Sequence, residues 1–300
     1  MLLKIMLVLV LAILAVDFAY SRVVAYRAKS FEKTVERDDA GIRKGFEELR
    51  TGEGAVGVLM VHGFGSSPAV FCRMVPELAA AGFECTSMRL PGFGEPLSKY
   101  AAVTAEDWEK AIVRELRAMG APDRPVWLVG HSMGGSLSWN VAKQNPELVR
   151  GVVLIAPLFD ISSRRSLGIS PRRLFPLVEP LLLFTDTFET CFPVDMTDPM
   201  VEVLEARDRF VPTSVYRQLF RTMQEARASE KVLPRPVLFC VAPRDLVTDA
   251  DAAVAAYKEV EAPAREIHYA PESGHVIPLD RGWEETTAKV AAFIHNHADD

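Results

Sequence analysis

Residues 126–135 read Val-Trp-Leu-Val-Gly-His-Ser-Met-Gly-Gly, and this stretch decides the fold. It begins as a short apolar strand and breaks at Ser132, which lies between Gly130 and Gly134. A chain that turns from strand to helix this sharply holds the serine in a strained conformation, and only glycine leaves room on either side. Because a helix is predicted over 136–143, the pattern indicates a nucleophile elbow. Taken alone, it also fits a glycine-rich turn in any parallel-sheet protein.

The composition favours one large domain without a nucleic-acid partner. The chain has 300 residues, of which 49% are hydrophobic, and no linker rich in Ser, Gly and Pro divides it. One large core with an insertion is therefore expected. The formal net charge of −6 provides no basic surface for a polynucleotide.

The cysteines predict neither a disulfide framework nor a metal site. The four cysteines are scattered, with no C-x-x-C pair and no histidine at metal-ligand spacing. Cys85 and Cys240 lie in strand-like runs, where cysteine behaves as a small buried hydrophobe. No metal and no cofactor are expected.

The first residues predict a membrane or export segment. After Lys4, residues 5–16 form an unbroken apolar run of 12, which Asp17 ends. A membrane-spanning helix needs about 20 apolar residues and a signal-peptide core about 7 to 15. We interpret residues 1–21 as a membrane anchor or signal segment, favouring an uncleaved anchor, with export after cleavage as the alternative. Residues 22–50 are interpreted as a charged spacer.

The charges around this segment bear on its orientation. Arg22, Arg27 and Lys29 follow the apolar run, whereas Lys4 precedes it. By the positive-inside rule, this balance would hold the following domain on the cytoplasmic side.

Apolar strand-like runs alternate with helical patterns along most of the chain. The predicted strands cover residues 56–61, 84–90, 126–129, 152–156, 236–241 and 266–269. Such alternation is typical of a parallel sheet with helices on both faces. We assign residues 51–157 and 234–300 to this α/β core. The proline-punctuated segment 158–233 shows no convincing strand and predicts a helical cap over the strand ends, which would form the substrate pocket.

Three chemistry-bearing side chains follow predicted strands. Ser132, Asp245 and His275 each lie in a loop after an apolar run, and a parallel sheet brings such loops to one edge. A serine hydroxyl needs a base within hydrogen-bond reach and a carboxylate to orient that base. Asp160 is the alternative acid. His62 and His131 adjoin other turns, which we expect them to brace.

The motifs together resemble a known superfamily. They are His62-Gly63-Phe64-Gly65, Gly130-His131-Ser132-Met133-Gly134-Gly135, Pro243-Arg244-Asp245 and Ser273-Gly274-His275. This set resembles the α/β-hydrolase superfamily, nearest to bacterial carboxylesterases and monoacylglycerol-lipase-like serine hydrolases. The resemblance implies Ser132 as nucleophile, His275 as base and Asp245 as its orienter. It also implies an oxyanion hole formed by the backbone N–H groups of Phe64 and Met133.

The expected activity is hydrolysis of carboxylic esters through an acyl-enzyme on Ser132. The apolar cap and the N-terminal segment suggest a lipid-like or monoacylglycerol-type ester, taken from a membrane. The alternatives are an acyltransferase or amidase using the same triad, and a non-catalytic membrane-tethered binding module. Dehalogenases and epoxide hydrolases of this fold are disfavoured, because they need a carboxylate where this chain has Ser132.

Overall fold

The computed structural model describes the backbone of residues 1–298 and the side chains of that range except those of residues 2, 3, 199, 202 and 203. Its strands are β1 (Leu49–Thr51), β2 (Val56–Val61), β3 (Phe83–Met88), β4 (Val126–His131), β5 (Gly151–Ile155), β6 (Thr187–Glu189), β7 (Phe210–Pro212), β8 (Val237–Val241) and β9 (Arg265–Tyr269). Its α-helices are α1 (Leu2–Glu32), α2 (Met74–Ala80), α3 (Leu97–Tyr100), α4 (Ala105–Ala118), α5 (Met133–Gln144), α6 (Pro171–Val178), α7 (Thr213–Ala228), α8 (Ala250–Glu259) and α9 (Trp283–Asn296).

Within residues 1–298, seven strands form one sheet in the order β1-β3-β2-β4-β5-β8-β9. Strand β1 is antiparallel to β3, and every other neighbouring pair is parallel. The carboxyl ends of β4, β8 and β9 therefore lie at the same edge of the sheet. The prediction of a mostly parallel sheet is confirmed.

Alternating side chains of each strand build a core on either face of the sheet. In β4, Leu128 joins the core beneath α4, α5, α7 and α8, whereas Trp127 and Val129 join the core beneath α2 and α9. Trp127 is fully buried and packs edge-to-face on Phe293 of α9, with ring centroids 5.7 Å apart. Burial of each large apolar side chain contributes about 1.5 to 3 kcal/mol, so β4 is held firmly from both sides.

The cap differs from the prediction in its strands. The sequence indicated no strand between residues 158 and 233, but β6 and β7 form an antiparallel ribbon there. Three-residue strands, one of which ends at Pro212, are too short to show an alternating pattern. Helix α7 packs along α5 and places Val215 and Met223 in the core. The last part of the cap segment is therefore packed onto the α/β core.

In the N-terminal region, one helix crosses the boundary predicted between residues 21 and 22. Helix α1 runs without a break through residue 21 and ends at Glu32, because the intervening Lys, Arg and Glu residues are good helix formers. The predicted spacer thus contains the second half of α1, and it ends in the short edge strand β1. In the described part of the chain, α1 alone is long and apolar enough to cross a membrane, a test that a signal sequence also passes.

Candidate active site

Ser132 occupies a sharp turn between β4 and α5. Its backbone has φ 56° and ψ −120°, a conformation that is costly for a residue with a side chain. A Cβ added at Gly130 would collide with the carbonyl of Gly134, and one added at Gly134 would collide with the carbonyl of Val61. Glycine is therefore required on both sides of the serine. The turn places the Ser132 hydroxyl at the amino end of α5, where the helix dipole favours negative charge.

Ser132, His275 and Asp245 form a hydrogen-bonded chain across three loops. Ser132 Oγ lies 3.0 Å from His275 Nε2, and His275 Nδ1 lies 2.8 Å from Asp245 Oδ2. A carboxylate only accepts hydrogen bonds, so Nδ1 carries the proton and Nε2 accepts from the serine hydroxyl. This tautomer suits His275 to removing the Ser132 proton.

The carboxylate of Asp245 is held in a fixed orientation by its own loop. Oδ1 accepts from the backbone N–H groups of Val247 and Thr248, at 2.7 and 2.8 Å. Oδ2 accepts from Thr248 Oγ1 at 2.6 Å. Burial alone would raise the pKa of Asp245, but the neighbouring His275 ring and these hydrogen bonds outweigh it and lower the pKa below its ordinary value. Asp245 is therefore ionised at neutral pH.

Sequence reasoning did not identify Thr248. A hydroxyl residue three positions after a loop aspartate is a common local hydrogen-bonding pattern, so this signal was present in the sequence.

The side chain of Asp160, the alternative acid, forms its hydrogen bonds with residues other than His275. Its Oδ2 accepts from Arg227 at 2.7 Å and from Arg172 at 3.2 Å, and its Oδ1 accepts from the backbone N–H of Ile161. Among the described hydrogen bonds, none joins Asp160 to His275, whose Nδ1 donates to Asp245. The geometry favours Asp245 as the orienting acid.

His131 lies directly beneath the base. Its Nε2–H donates to the carbonyl oxygen of His275 at 3.0 Å, and the two rings lie 4.9 Å apart. Burial and the neighbouring His275 lower the pKa of His131 to about 3, so it is neutral near pH 7. It acts as a fixed donor to the backbone of the His275 loop.

His62 connects two other loops at this edge. Its Nε2 accepts from the backbone N–H of Leu90 at 3.1 Å, and its Nδ1–H donates to the carbonyl of Gly63 at 2.9 Å. Burial lowers the pKa of His62 to about 4. His62 therefore joins the loop after β2 to the loop after β3 as a neutral ring.

The loop after β2 packs closely on Ser132. A Cβ added at Gly63 would lie 2.9 Å from the Cβ of Ser132, so a larger residue would push the two apart. The next residue, Phe64, and the first residue of α5, Met133, hold the backbone N–H groups predicted for the oxyanion hole. Within the described residues, neither N–H donates a hydrogen bond to the protein. Both donors are therefore available to a ligand oxygen.

The cap contacts this loop through the Glu205 carboxylate and the backbone N–H of Asp208. Glu205 accepts a hydrogen bond from the Ser66 hydroxyl, and the backbone N–H of Asp208 donates to the Gly65 carbonyl at 2.9 Å. The Glu205 side chain is 1% exposed and pairs with Arg207 at 2.9 Å. Cap and loop are thus connected by buried polar contacts.

The cap also holds the loops of the base and the acid. Asp195 Oδ2 accepts from the backbone N–H of His275 at 3.1 Å and from that of Leu246 at 2.7 Å. Asp280, fully buried, accepts from the backbone N–H groups of Gly274 and Thr197 at 2.7 and 2.8 Å. No sequence pattern marks Asp195 for this role, because its two backbone partners lie 51 and 80 residues away in the chain.

The proposed catalytic side chains are buried. Ser132 and His275 are each 6% exposed, and Asp245 is 3% exposed. In the described part of the chain, no group of three or more His, Cys, Asp or Glu residues is arranged to hold a metal ion. The four cysteines are free, with Cys85 and Cys240 buried.

The sequence is similar to that of known proteins over most of its length. A family model described as the alpha/beta hydrolase family matches residues 58–289. A thermostable monoacylglycerol lipase of Bacillus sp. (strain H-257) is 25% identical over 257 residues, which cover 86% of this chain and 97% of the lipase.

Two solved structures of lipolytic enzymes share the fold. One, of the metagenome-derived lipolytic enzymes LipS and LipT, superimposes with a TM-score of 0.73 at 24% identity and covers 85% of this chain and 100% of its own. The monoacylglycerol lipase of Paleococcus ferrophilus superimposes with a TM-score of 0.71 at 20% identity and covers 84% and 98%. The match of the family model over most of the chain confirms the resemblance inferred from the motifs, and the chain belongs to the α/β-hydrolase family.

Proposed function

We propose that the protein is a serine hydrolase of carboxylic esters that forms an acyl-enzyme on Ser132. The observation that carries this proposal is the unbroken hydrogen-bonded chain from Ser132 through His275 to Asp245. A binding module on the same scaffold has no need of a strained serine, a correctly protonated base and an ionised acid together.

The proposed reaction proceeds in two steps of acyl transfer. Ser132 Oγ attacks the ester carbonyl carbon while His275 Nε2 takes the hydroxyl proton, and Asp245 stabilises the resulting imidazolium. The backbone N–H groups of Phe64 and Met133 stabilise the oxyanion, a contribution of about 3 to 4 kcal/mol per donor. His275 then gives its proton to the leaving alcohol. Water attacks the acyl-enzyme by the same route and releases the acid.

The proposed substrate is a lipid-like ester of monoacylglycerol type. The cap exposes several large apolar side chains, and α1 exposes an apolar stretch from Ile5 to Val16. Two relatives described above are named as monoacylglycerol lipases. We propose that α1 remains attached and anchors the enzyme to the membrane that supplies this substrate.

Labelling with a fluorophosphonate probe tests the reaction class. The folded wild-type protein should be labelled on one serine, and Ser132→Ala should lose both the label and the hydrolysis of p-nitrophenyl esters while its thermal transition stays nearly unchanged. Failure of the folded protein to label would favour a binding module.

A matched pair of variants tests the acid. Asp245→Asn should lose most activity, whereas Asp160→Asn should retain it; the reverse result would transfer the role to Asp160.

An ester series of increasing acyl length tests the substrate class, because a maximum at acetyl or butyryl esters would contradict a membrane-lipid role.

A further inference from the structure

Asp17 interrupts the apolar part of α1 and is buried against the cap. It is 5% exposed, whereas its apolar neighbours Val16 and Phe18 are 70% and 51% exposed. Its Oδ2 accepts from the backbone N–H of Phe184 at 2.8 Å and its Oδ1 from Thr185 Oγ1 at 2.6 Å. The Asp17 carboxylate thus accepts both of these hydrogen bonds from the cap.

The rest of α1 divides at this residue. Residues 4–16 are exposed, except that Leu14 is half-buried. Beyond Asp17, α1 follows the β6–β7 ribbon: Tyr20 packs near Phe188, and Arg27 pairs with Glu189 at 2.9 Å. Only the first half of the helix therefore projects from the protein.

The length of the apolar run sets the depth at which Asp17 would lie. Between Lys4 and Asp17, the 12 apolar residues extend about 18 Å, which is less than the roughly 30 Å of a bilayer's hydrocarbon core. Extended to Ser21, just before Arg22, the run has 17 residues and reaches about 26 Å. An α1 that spans the membrane must therefore take Asp17 to the edge of the apolar layer, together with Phe184 and Thr185.

A charged side chain at that depth is costly unless it is partnered. The two hydrogen bonds from the cap meet this requirement, and Phe18 packs edge-to-face on Phe184 beside them, with centroids 5.3 Å apart. The contact that makes Asp17 tolerable in the membrane also brings the cap to the membrane.

The cap carries an apolar surface next to this contact. We call it the apolar rim, and it consists of Leu174, Leu177, Leu181, Leu183 and Phe184, which are 38%, 71%, 50%, 67% and 48% exposed. The one acid within the rim's sequence, Glu179, is paired with Arg217. Exposed apolar patches of this kind mark sites of contact with a membrane or a partner.

We propose that α1 and the cap dock on the bilayer as one unit, in which Asp17 holds the cap at the depth where the apolar rim enters the lipid. The occupant of the rim is the lipid of the membrane that α1 crosses. The proposal rests on the anchoring by α1 given under Proposed function, but not on the catalytic assignment.

A row of aromatic rings continues from this contact toward Ser132. Tyr20 of α1 lies 6.3 Å from Phe188, Phe188 lies 5.3 Å from Tyr216, and Tyr216 lies 4.8 Å from Phe64. All but Tyr20 are half-buried, and Phe64 adjoins Gly63, which packs on Ser132. The row therefore connects the contact between α1 and the cap with the loop that packs on Ser132.

The depth of the rim is measured on the full chain in phosphatidylcholine vesicles. Leu183→Cys in a Cys191→Ser background carries an environment-sensitive fluorophore, and the Cys191→Ser parent gives the background labelling. Lipids brominated in their acyl chains should quench the probe at position 183. The matched control is Val232→Cys, which is 48% exposed and precedes β8 at the opposite end of the sheet, and it should remain unquenched.

An aqueous, unquenched probe at position 183 in vesicle-bound protein would overturn the proposal. A probe that is shielded but not quenched by lipid would also overturn it, because a second copy of the chain would then cover the rim. Neither readout depends on hydrolysis, so failure here is distinguishable from failure of the proposed reaction.

The role of Asp17 is tested by Asp17→Leu, which makes α1 more apolar but removes both cap contacts. The variant should still bind vesicles, lose quenching at position 183, and hydrolyse vesicle-embedded monoacylglycerol about tenfold more slowly, with soluble esters unaffected. Asp17→Asn, which keeps one acceptor, should restore part of the quenching. Unchanged quenching in Asp17→Leu would mean that Asp17 does not hold the cap at the bilayer.

Discussion

The carboxylate of Asp195, in the cap, accepts a hydrogen bond from the backbone N–H of His275 at 3.1 Å. The same oxygen accepts from the backbone N–H of Leu246, beside Asp245, at 2.7 Å. One cap side chain thus holds the loops of the proposed base and acid at a fixed separation. The cap therefore supports the proposed active site through these two loops.

We expect Asp195→Ala to lower kcat by about tenfold to a hundredfold, because two hydrogen bonds to a charged acceptor are lost and the His275 loop is released. Asp195→Asn keeps an oxygen in place and should retain most activity. Steady-state kinetics on a soluble ester checks this, with the loss expected in kcat and little change in KM. Equal losses in both variants would show that the charge, and not the positioning, matters.

Thr248→Val should lower kcat by about tenfold, since the carboxylate of Asp245 loses a charge-assisted hydrogen bond that fixes its orientation. The change keeps the volume of the side chain and removes the 2.6 Å contact. Thr248→Ser, which keeps the hydroxyl, is the control and should behave as the wild type. If Val and Ser variants have the same rate, Thr248 does not orient the acid.

Much of the architecture was predictable because it follows from strand patterns. Ser132, Asp245 and His275 each come directly after an apolar run, and parallel strands necessarily bring such loops to one edge. The spacing of Thr104 and Asp107 is likewise typical of a helix N-terminus, and the two residues form a reciprocal capping box at the start of α4. Each of these features depends on a few residues that lie close together in the sequence.

Contacts between distant segments were not predictable. Asp195 lies 80 residues from His275 and meets it through a backbone N–H, which every residue except proline has. Asp17 stood out only as the end of an apolar run, and its partners Phe184 and Thr185 carry no complementary signal. Such contacts depend on how the cap folds back, which the periodicity of its short elements does not encode.

The burial of His62 predicts a specific pH dependence of stability. Its pKa falls from 6.5 to about 4 in the folded protein, so the unfolded chain binds a proton more readily between these values. Its contribution to the free energy of unfolding is therefore complete above pH 6.5 and is lost as the pH falls toward 4. The total change is about 3 kcal/mol.

Comparison with His62→Gln isolates this contribution. Chemical denaturation from pH 7 to pH 4 should show the wild type losing more stability than the variant, by about 2 to 3 kcal/mol. The contribution of Asp208 to the free energy of unfolding changes with pH in the opposite direction. Burial raises the pKa of Asp208 to about 7, so its contribution is lost as the pH rises. Asp208 is present in both proteins, so its effect cancels in the difference. Parallel curves for the two proteins would contradict a neutral buried His62.

Gly63→Ala tests the oxyanion hole through its geometry. The added Cβ would lie 2.9 Å from the Cβ of Ser132 and 3.4 Å from the His131 carbonyl, so the loop must move outward and take the Phe64 N–H with it. Loss of one oxyanion donor lowers kcat by about 10² to 10³. The measurement is kcat on a soluble ester beside the thermal transition, which should change far less than the rate.

Gly41→Ala is the matched control for this change. Gly41 has a φ of 81° and no atom within 4 Å of an added Cβ, so its substitution strains the backbone without a steric contact. It should cost about 1 kcal/mol of stability and leave kcat unchanged.

Because the Gly63→Ala variant still carries Ser132, slow but complete labelling by a fluorophosphonate should persist. Wild-type kcat in Gly63→Ala would mean that the Phe64 N–H does not stabilise the oxyanion.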